Sequence, residues 1–423
     1  MKSDSNGYMP RLADKELATR LARASTVLIE GPKACGKTAT AKRMARSEVC
    51  FDVDANARQA VSIDPQPLLE GDTPRLFDEW QIVPEIWNHV RRASDQRSGK
   101  GKFILTGSAA PTDDIVRHSG AGRISRLRMR TMSLFEQDHA NGKVSLGDLL
   151  SGATISATDP GLTISDIVEL ICRGGWPGTI GDSLNQAMGF ARDYIDELRR
   201  TDVGSVEGVR HDPAKVLRLM QSLARNIATE VKLTTLARDV SGTGENVQAR
   251  TVAGYMEALR KLFVVEELPP FSPHLRSKSR LLQAAKQQFA DPSVAVAAIR
   301  SNPGQLRADL EYLGFLFESM VVRDLRIYAA PHDAELSHYR DNTGLEVDAV
   351  IQTAAGAWLP VEVKLGNSES IIDAAASTLL KFKSRVDTAK MGEPANLLLV
   401  TATGYAYRRP DGVTVAPIGS LGP

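Results

Sequence analysis

One segment of this 423-residue chain has glycines, a lysine and a threonine at the spacing of a phosphate-binding loop. It fits the pattern G-x-x-x-x-G-K-[S/T] without mismatch, and it lies between a predicted strand (26–29) and a predicted helix (39–46). Backbone N–H groups of such a loop and the following helix N-terminus bind phosphate. The sequence therefore predicts that ATP binds here, with Lys37 at the β/γ-phosphates as a catalytic residue and Thr38 on Mg²⁺. The predicted nucleotide-binding residues are Gly31, Pro32, Lys33, Ala34, Cys35, Gly36, Lys37, Thr38 and Ala39.

Two more predicted strands end in polar residues. The segment 75–80 is typical of a Walker B strand end, in which Asp78 would hold the water shell of Mg²⁺ and Glu79 would orient the attacking water. An exposed acidic turn is the alternative interpretation. The segment 102–108 predicts a buried strand, and Thr106 near its end could contact the γ-phosphate or the water, because carboxyl ends of parallel strands line ligand crevices.

Apolar and basic residues alternate from Arg123 to Arg130, as in a strand with one charged face. One arginine there could neutralise transition-state charge as an arginine finger, and Arg123, which follows Gly122, is the candidate. A solvated basic face is the alternative. Because such an arginine often completes the site of a neighbouring protomer, a homo-oligomer is an open possibility.

Composition limits the class of protein. Hydrophobic residues make up 42% and charged residues 24%, as in soluble globular proteins, and the net charge of +1 excludes a global basic surface for nucleic acid. Three scattered cysteines favour reduced thiols in a cytoplasm. The sequence has no apolar run of signal-peptide type and none of membrane-spanning length, so we expect a cytoplasmic protein without a membrane partner.

The C-terminal region contains a spaced set of acids and a lysine. A predicted helix (313–322) carries Glu318, and predicted strands at 346–351 and 358–364 carry Asp348, Glu362 and Lys364. A hairpin would bring Asp348 beside Glu362 and Lys364, and carboxylates are ligands for Mg²⁺ or Mn²⁺. A metal there would activate water for attack on a phosphodiester, with Lys364 positioning that water. The alternative is an exposed charged sheet face.

This C-terminal set resembles the D…E-x-K arrangement of PD-(D/E)xK nucleases. The resemblance implies catalytic roles for Asp348, Glu362 and Lys364, and metal binding by Glu318, Asp348 and Glu362. The fold can also persist as a binding module that cleaves nothing.

The middle region has a helix–turn–helix pattern. Helices are predicted at 216–224, 233–240 and 246–263, followed by a strand at 264–268, which together are typical of a winged helix. Arg250 and Arg260 could contact DNA phosphates, whereas many winged helices bind only proteins. A basic run at 276–286 follows and predicts a solvated loop.

A succession of short motifs resembles prokaryotic AAA-type ATPases that carry a C-terminal DUF4143 domain. The motifs are Arg11-Leu12, the phosphate loop, Asp78-Glu79-Trp80-Gln81, Leu105-Thr106-Gly107-Ser108, Gly122-Arg123, Ser133-Leu134-Phe135-Glu136 and Gly174-Gly175-Trp176-Pro177. The resemblance implies an AAA+-like ATPase.

The predicted fold class is α/β, in three domains. They are an AAA+-like P-loop domain with a parallel sheet (1–204), a winged-helix domain (205–299) and a PD-(D/E)xK-like α/β domain (300–423). The predicted function is Mg²⁺-dependent ATP hydrolysis coupled to a nuclease-like domain that acts on DNA. Two alternatives stay open: an ATP-gated switch that binds DNA or a protein partner without cleavage, and an interaction scaffold with a vestigial ATPase.

Overall fold

The computed structural model describes residues 7–108, 121–155, 158–204, 211–242, 247–272 and 284–423. The sequence interpretations that involve residues 118–120, 243–246 and 276–280 lie outside these ranges.

The N-terminal region contains a parallel sheet, as predicted. In the described residues its strand order is β2-β3-β4-β1-β5, and every neighbouring pair is parallel. The strands are β1 Thr26–Glu30, β2 Ser47–Cys50, β3 Arg75–Asp78, β4 Phe103–Gly107 and β5 Ile124–Arg128. The helices around it are α1 Leu12–Arg23, α2 Lys37–Met44, α3 Ala55–Ile63, α4 Gln66–Leu69 and α5 Ile86–Gln96.

The second strand, β2, is short. It ends at Cys50, and the chain turns into α3 because the Asp54 side chain accepts a hydrogen bond from the backbone N–H of Ala57 and caps that helix.

Helices then lead from the sheet into the middle region. They are α6 Leu146–Leu150, α7 Ile164–Arg173 and α8 Leu184–Glu197, followed by a π-helical turn, Leu198–Asp202; the short strand β6, Val144–Ser145, precedes them. Thr163 and Ser183 begin α7 and α8 with capping boxes, in which the side chain of the third helical residue returns a bond to the cap backbone.

The predicted elements of the middle region are present. The helices are α9 Pro213–Arg225, α10 Leu233–Ser241 and α11 Ala249–Lys261, and the antiparallel strands β7 Val265–Leu268 and β8 Lys286–Phe289 follow. Lys232 is the residue that caps α10, without a hydrogen bond from its side chain. Assignment of these elements to a winged helix stays a prediction.

The C-terminal region begins with helices α12 Pro292–Ala298 and α13 Pro303–Ala308 and the long α14, Leu310–Ala329. A mixed sheet follows, with strand order β13-β14-β12-β11-β10-β9 in the described part. Its strands are β9 Ala334–Arg340, β10 Glu346–Thr353, β11 Trp358–Lys364, β12 Leu397–Thr401, β13 Tyr407–Arg408 and β14 Val413–Pro417. Helices α15 Glu369–Arg385 and α16 Thr388–Met391 follow β11, and β15 Leu421–Gly422 pairs in parallel with β6.

A continuous hydrophobic core joins the segment after β5 to the middle and C-terminal regions. It contains Leu134, residues of helices α7 to α11 and of α14, residues of the C-terminal sheet and Leu421 of β15. The strands of the parallel sheet pack in two separate clusters. Within the described residues, no helix combines the length and the apolar character that crossing a membrane requires.

Candidate functional site

The phosphate loop connects β1 to α2 at the carboxyl edge of the parallel sheet. Gly36 begins α2 with a φ of 97°, in the left-handed region that favours glycine. A Cβ on Gly31 would lie 2.1 Å from the carbonyl oxygen of Met129, so only glycine fits there. The buried Lys37 ammonium donates to the carbonyl oxygens of Gly31 (3.0 Å) and Pro32 (2.8 Å), which holds its charge beneath the loop.

Two predicted site residues, Thr38 and Thr106, contact a third, Asp78. The hydroxyl of Thr38, in the first turn of α2, donates to Asp78 Oδ1 at 2.9 Å, and the Thr106 hydroxyl donates to the same oxygen. Asp78 ends β3 and Thr106 lies in β4, so parallel neighbouring strands place both side chains at the loop. A hydroxyl beside a carboxylate at a phosphate loop is a donor set that suits Mg²⁺.

Glu79 follows directly, with a φ of 54° in the left-handed region. Its carboxylate accepts from the side-chain amide of Gln81 and lies 3.4 Å from the Ser108 hydroxyl. A non-glycine residue with positive φ is uncommon and is often found at functional sites. Gln81 was noted in the sequence only as part of a motif; its position shows that it orients Glu79.

Other residues of the phosphate loop contact segments outside the loop. Lys33 Nζ lies 2.6 Å from the Asp202 carboxylate in the π-helical turn, and Cys35 is fully buried in the core between α1 and the sheet. Ala34 has a φ of 61° and, like Ala39, is exposed.

A buried arginine supports the loop from behind. Arg11 donates to the Cys35 carbonyl (2.8 Å), to Glu136 (3.0 Å) and to the Arg130 carbonyl (2.9 Å). Glu136 in turn accepts from the backbone N–H groups of Leu12 and Ser133. Arg11 and Glu136 were predicted only as parts of family motifs, because 125 residues separate them and no local pattern links them.

Arg123 does not reach the nucleotide loop of its own chain. It precedes β5, whose Ile124 pairs with Thr26 at the start of β1, whereas the loop follows the end of β1. Its guanidinium is 43% exposed and pairs with Asp95 at 2.6 Å. Arg123 is therefore not placed to act on the loop of its own chain, and its role as an arginine finger towards another protomer stays a prediction.

A second charged cluster lies in the C-terminal region. The hairpin β10–β11 and helix α14 bring Asp348, Glu362, Lys364 and Glu318 together, as predicted, and Lys286 of β8 joins them. Lys364 Nζ lies 2.7 Å from Glu362 and 3.4 Å from Asp348. Lys286 Nζ lies 2.8 Å from Glu318 and 3.7 Å from Asp348. A cavity of about 410 Å³ opens beside Lys286, Glu318, Asp348 and Lys364.

The electrostatics of this cluster follow from its burial. Burial and the neighbouring Asp348 raise the pKa of Glu318 to about 7 and that of Glu362 to about 8. Burial alone would lower the pKa of Lys286 and Lys364, but the surrounding carboxylates outweigh it and hold both pKa values above their usual range. Both lysines therefore carry a positive charge at neutral pH.

This arrangement does not fit a metal. In the part of the chain that the structure describes, no group of three or more His, Cys, Asp or Glu side chains is placed to hold an ion. Between Glu318 and Asp348 lies the ammonium group of Lys286. The prediction that Glu318, Asp348 and Glu362 together ligate Mg²⁺ or Mn²⁺ is therefore not met in this conformation.

Three family models match successive parts of the chain. Residues 23–137 match an AAA domain, residues 164–305 match a domain of unknown function (DUF8612), and residues 313–421 match another (DUF4143). The chain thus contains an AAA domain and a DUF4143 domain, and the former, with the loop geometry, supports ATP binding.

Relatives extend over most of the chain. Uncharacterised proteins of Mycobacterium bovis and Mycobacterium tuberculosis are each 26% identical over 377 residues, which is 88% of this chain and 77% of theirs. Among solved structures, a Walker-type ATPase of Pyrococcus abyssi has a TM-score of 0.43 at 14% identity and covers 70% of this chain and 97% of its own. A signal-transduction ATPase with a tetratricopeptide sensor, from Pyrococcus horikoshii, has a TM-score of 0.21 at 14% identity, covering 76% and 48%.

Proposed function

We propose that the protein hydrolyses ATP in a reaction that depends on Mg²⁺. The observation that carries this proposal is the hydrogen bond from Thr38 to Asp78, which joins the phosphate loop to the end of β3. Thr38 and Asp78 would hold Mg²⁺ and its water shell, and the bound ion would neutralise charge on the β- and γ-phosphates.

Side chains of the protein supply the remaining roles in ATP hydrolysis. Lys37 exchanges its loop carbonyl partners for phosphate oxygens, because an ammonium held at 2.8–3.0 Å from neutral carbonyls gains more from an anion. Glu79, oriented by Gln81, positions the attacking water and accepts its proton. Thr106 keeps the Asp78 carboxylate aimed at the loop.

Phosphate release from ATP tests this proposal. Glu79→Gln should bind ATP but lower kcat by about 10²-fold or more, the usual contribution of a general base, and Lys37→Ala should weaken ATP binding itself. Lys42→Ala, on the exposed face of the same helix, is the matched control and should behave as wild type. A Glu79→Gln variant with full kcat would contradict the assigned role.

We further propose that ATP turnover is coupled to the C-terminal cluster, with DNA as the candidate ligand and nuclease-like cleavage as the candidate reaction. What supports this is the convergence of Asp348, Glu362 and Lys364 on the β10–β11 hairpin. The contact of Lys286 with Glu318 and Asp348 favours the other candidate, an ATP-gated switch that binds DNA or a protein partner and cleaves nothing.

Incubation with linear, circular and single-stranded DNA, with Mg²⁺ or Mn²⁺ and with or without ATP, separates the two. Cleavage that is lost in Asp348→Ala and Lys364→Ala supports the nuclease, and its loss in Lys37→Ala shows that ATP gates it. Intact DNA under every condition, with ATP hydrolysis preserved, supports the switch.

A further inference from the structure

Lys286 is a buried cation, and the sequence pattern of the C-terminal region does not predict its position. Its side chain is 9% exposed, and its ammonium contacts Glu318 at 2.8 Å and Asp348 at 3.7 Å. We infer that Lys286 is the resident cation of the C-terminal carboxylate cluster and that it competes with divalent metal for the space between Glu318 and Asp348. The inference rests on the proposed function of this cluster, whose regulation it describes.

The charges of the cluster support this competition. Three carboxylates, Glu318, Asp348 and Glu362, face two ammonium groups in a largely buried site. Buried carboxylates need a nearby cation, and Lys286 supplies one without a metal. With all three carboxylates ionised, a divalent ion added beside both lysines would bring an excess of positive charge, whereas an ion that replaces Lys286 would leave the cluster balanced.

The two lysines hold different positions. Lys364 is 36% exposed and pairs mainly with Glu362, at 2.7 Å, so it lies at the rim of the cluster. Of the two lysines, Lys286 is the one that contacts Glu318, and its side chain is buried. Removal of Lys286 should therefore open a cation position, whereas removal of Lys364 should only change the charge nearby.

Lys286 also comes from a different part of the chain than the carboxylates. It begins β8, whose ladder partner is β7, and it lies in the stretch 164–305 that matches one family model, while the carboxylates lie in the stretch 313–421 that matches another. The hydrogen bonds of Gln287 with Ala228 and Thr229 attach β8 to the chain after α9. A shift of β8 would therefore withdraw Lys286 and expose the carboxylates to metal.

Direct measurement of Mn²⁺ binding tests the inference. The protein is full length, carries Thr38→Ala to remove the ion site at the nucleotide loop, and contains no nucleotide; bound Mn²⁺ is measured by electron paramagnetic resonance. We expect Lys286→Met to bind one additional Mn²⁺ at least about tenfold more tightly than the parent, because a competing charge is gone. Lys286→Arg, which keeps the charge, should resemble the parent, and Asp348→Asn should abolish the gain.

Three results would overturn the inference. The parent could bind Mn²⁺ at Asp348 as tightly as the Lys286→Met variant does. The Lys286→Met variant could fold and gain no Mn²⁺ site. The Lys364→Met variant could gain a site of equal affinity.

Wild-type protein gives a second test in case the Lys286→Met variant does not fold. Reductive methylation should leave Lys286 unmodified without metal and modify it at saturating Mn²⁺, and continued protection with Mn²⁺ at Asp348 contradicts the competition. All these readouts measure metal or lysine directly, so failure of DNA cleavage leaves them interpretable.

Discussion

Arg11 and Glu136 form a buried ion pair behind the phosphate loop. The guanidinium is fully buried with the Glu136 carboxylate and donates to the Cys35 carbonyl, so it fixes a backbone group of the loop itself. A buried pair need not add net stability, but removal of one partner leaves an uncompensated charge. The pair therefore supports the backbone of the loop.

Replacement of Arg11 by Met tests this positioning role. The Glu136 charge would lose its ion-pair partner and the Cys35 carbonyl its side-chain donor, so we expect a loss of about 3–5 kcal/mol in the free energy of unfolding and weaker ATP binding. Urea unfolding and titration with an ATP analogue measure the two effects. Lys42→Met, which breaks an exposed pair with Glu48, is the control and should cost less than about 1 kcal/mol.

Glu266 gives the protein a pH-dependent contribution to stability. Burial alone would raise the pKa of its carboxyl, but Arg130 and Arg326 outweigh burial and lower the pKa to about 2. The folded-state pKa thus lies below the ordinary value of 4.5, so the stabilisation is complete above about pH 4.5 and is lost as the pH falls towards 2.

The corresponding prediction compares wild type with Glu266→Gln. The variant should be less stable by about 3 kcal/mol at pH 7, and the difference should shrink as the pH falls from about 4.5 towards 2, because wild type then loses the same charge. Urea unfolding across this pH range measures it. A difference that stays constant with pH would show that the ion pairs of Glu266 do not stabilise the fold.

At the scale of elements, strand ends place the nucleotide site. Strands β1, β3 and β4 are parallel neighbours, so the phosphate loop, Asp78 and Thr106 meet at one edge of the sheet. These positions were predictable, because each side chain follows a buried apolar run and parallel order aligns the carboxyl ends. The β10–β11 hairpin was predictable for the same kind of reason, since strand periodicity puts Asp348 and Glu362 on neighbouring positions.

Other features could not be predicted because they depend on contacts between distant segments. Nothing local links Arg11 to Glu136, or Lys286 to Glu318. A basic run is usually a solvated loop, but the prediction of such a loop at 276–286 is wrong for Lys286, which lies buried in β8. The position of Arg123 could not be predicted for a related reason. Its position at the amino end of β5 depends on the order of strands in the sheet, which alternation of residue types does not specify.

Thr106 allows a test of the strand-end geometry. Thr106→Val removes the hydroxyl that donates to Asp78 and keeps the shape of the side chain, so we expect kcat for ATP to fall about tenfold, as for loss of a buried hydrogen bond. Thr106→Ser retains the hydroxyl and should keep most of the activity. Equal kcat in wild type and Thr106→Val, with saturating Mg²⁺ and ATP, would mean that Asp78 needs no such donor.

At the scale of the whole molecule, the segment behind the phosphate loop shares its interior with the middle and C-terminal regions. The backbone N–H of Leu134 donates to Asp324 of α14 at 2.9 Å, and Arg323 beside it pairs with Asp291 at 3.0 Å. Asp291 also accepts from the Gly175 N–H. This buried polar chain and the core around it connect the region behind the phosphate loop to the helix that carries Glu318. The predicted boundaries near residues 205 and 300 stay predictions, and folding of separate fragments is their test.

A fragment of residues 1–299 makes that test concrete. It lacks α14, so Leu134 would lose the Asp324 acceptor and Asp291 would lose Arg323, in addition to the apolar surface of that helix. We therefore expect no cooperative unfolding transition and no binding of an ATP analogue. Circular dichroism in urea and a nucleotide titration check this. A fragment that unfolds cooperatively and binds nucleotide would establish an independent ATPase unit.

Arg123 supports a prediction about assembly. Because it is exposed and lies away from its own phosphate loop, it can complete an ATP site only in another protomer. In that case the ATPase activity per protomer rises with protein concentration in wild type and stays low in Arg123→Ala. Activity per protomer that is constant across concentrations contradicts the role in trans.

The shared interior also determines when the nucleotide site can gain its supporting contacts with α14 during synthesis on the ribosome. Residues 11–136 leave the ribosome early. The backbone hydrogen bonds of Leu134 to Asp324 and of Phe135 to Tyr328 can form only after those two partners are translated, about 190 residues later. We expect the emerging ATPase segment to remain without its full support until the ribosome has passed α14. Arrested chains that end before α14 should therefore be poor nucleotide binders and good clients for chaperones.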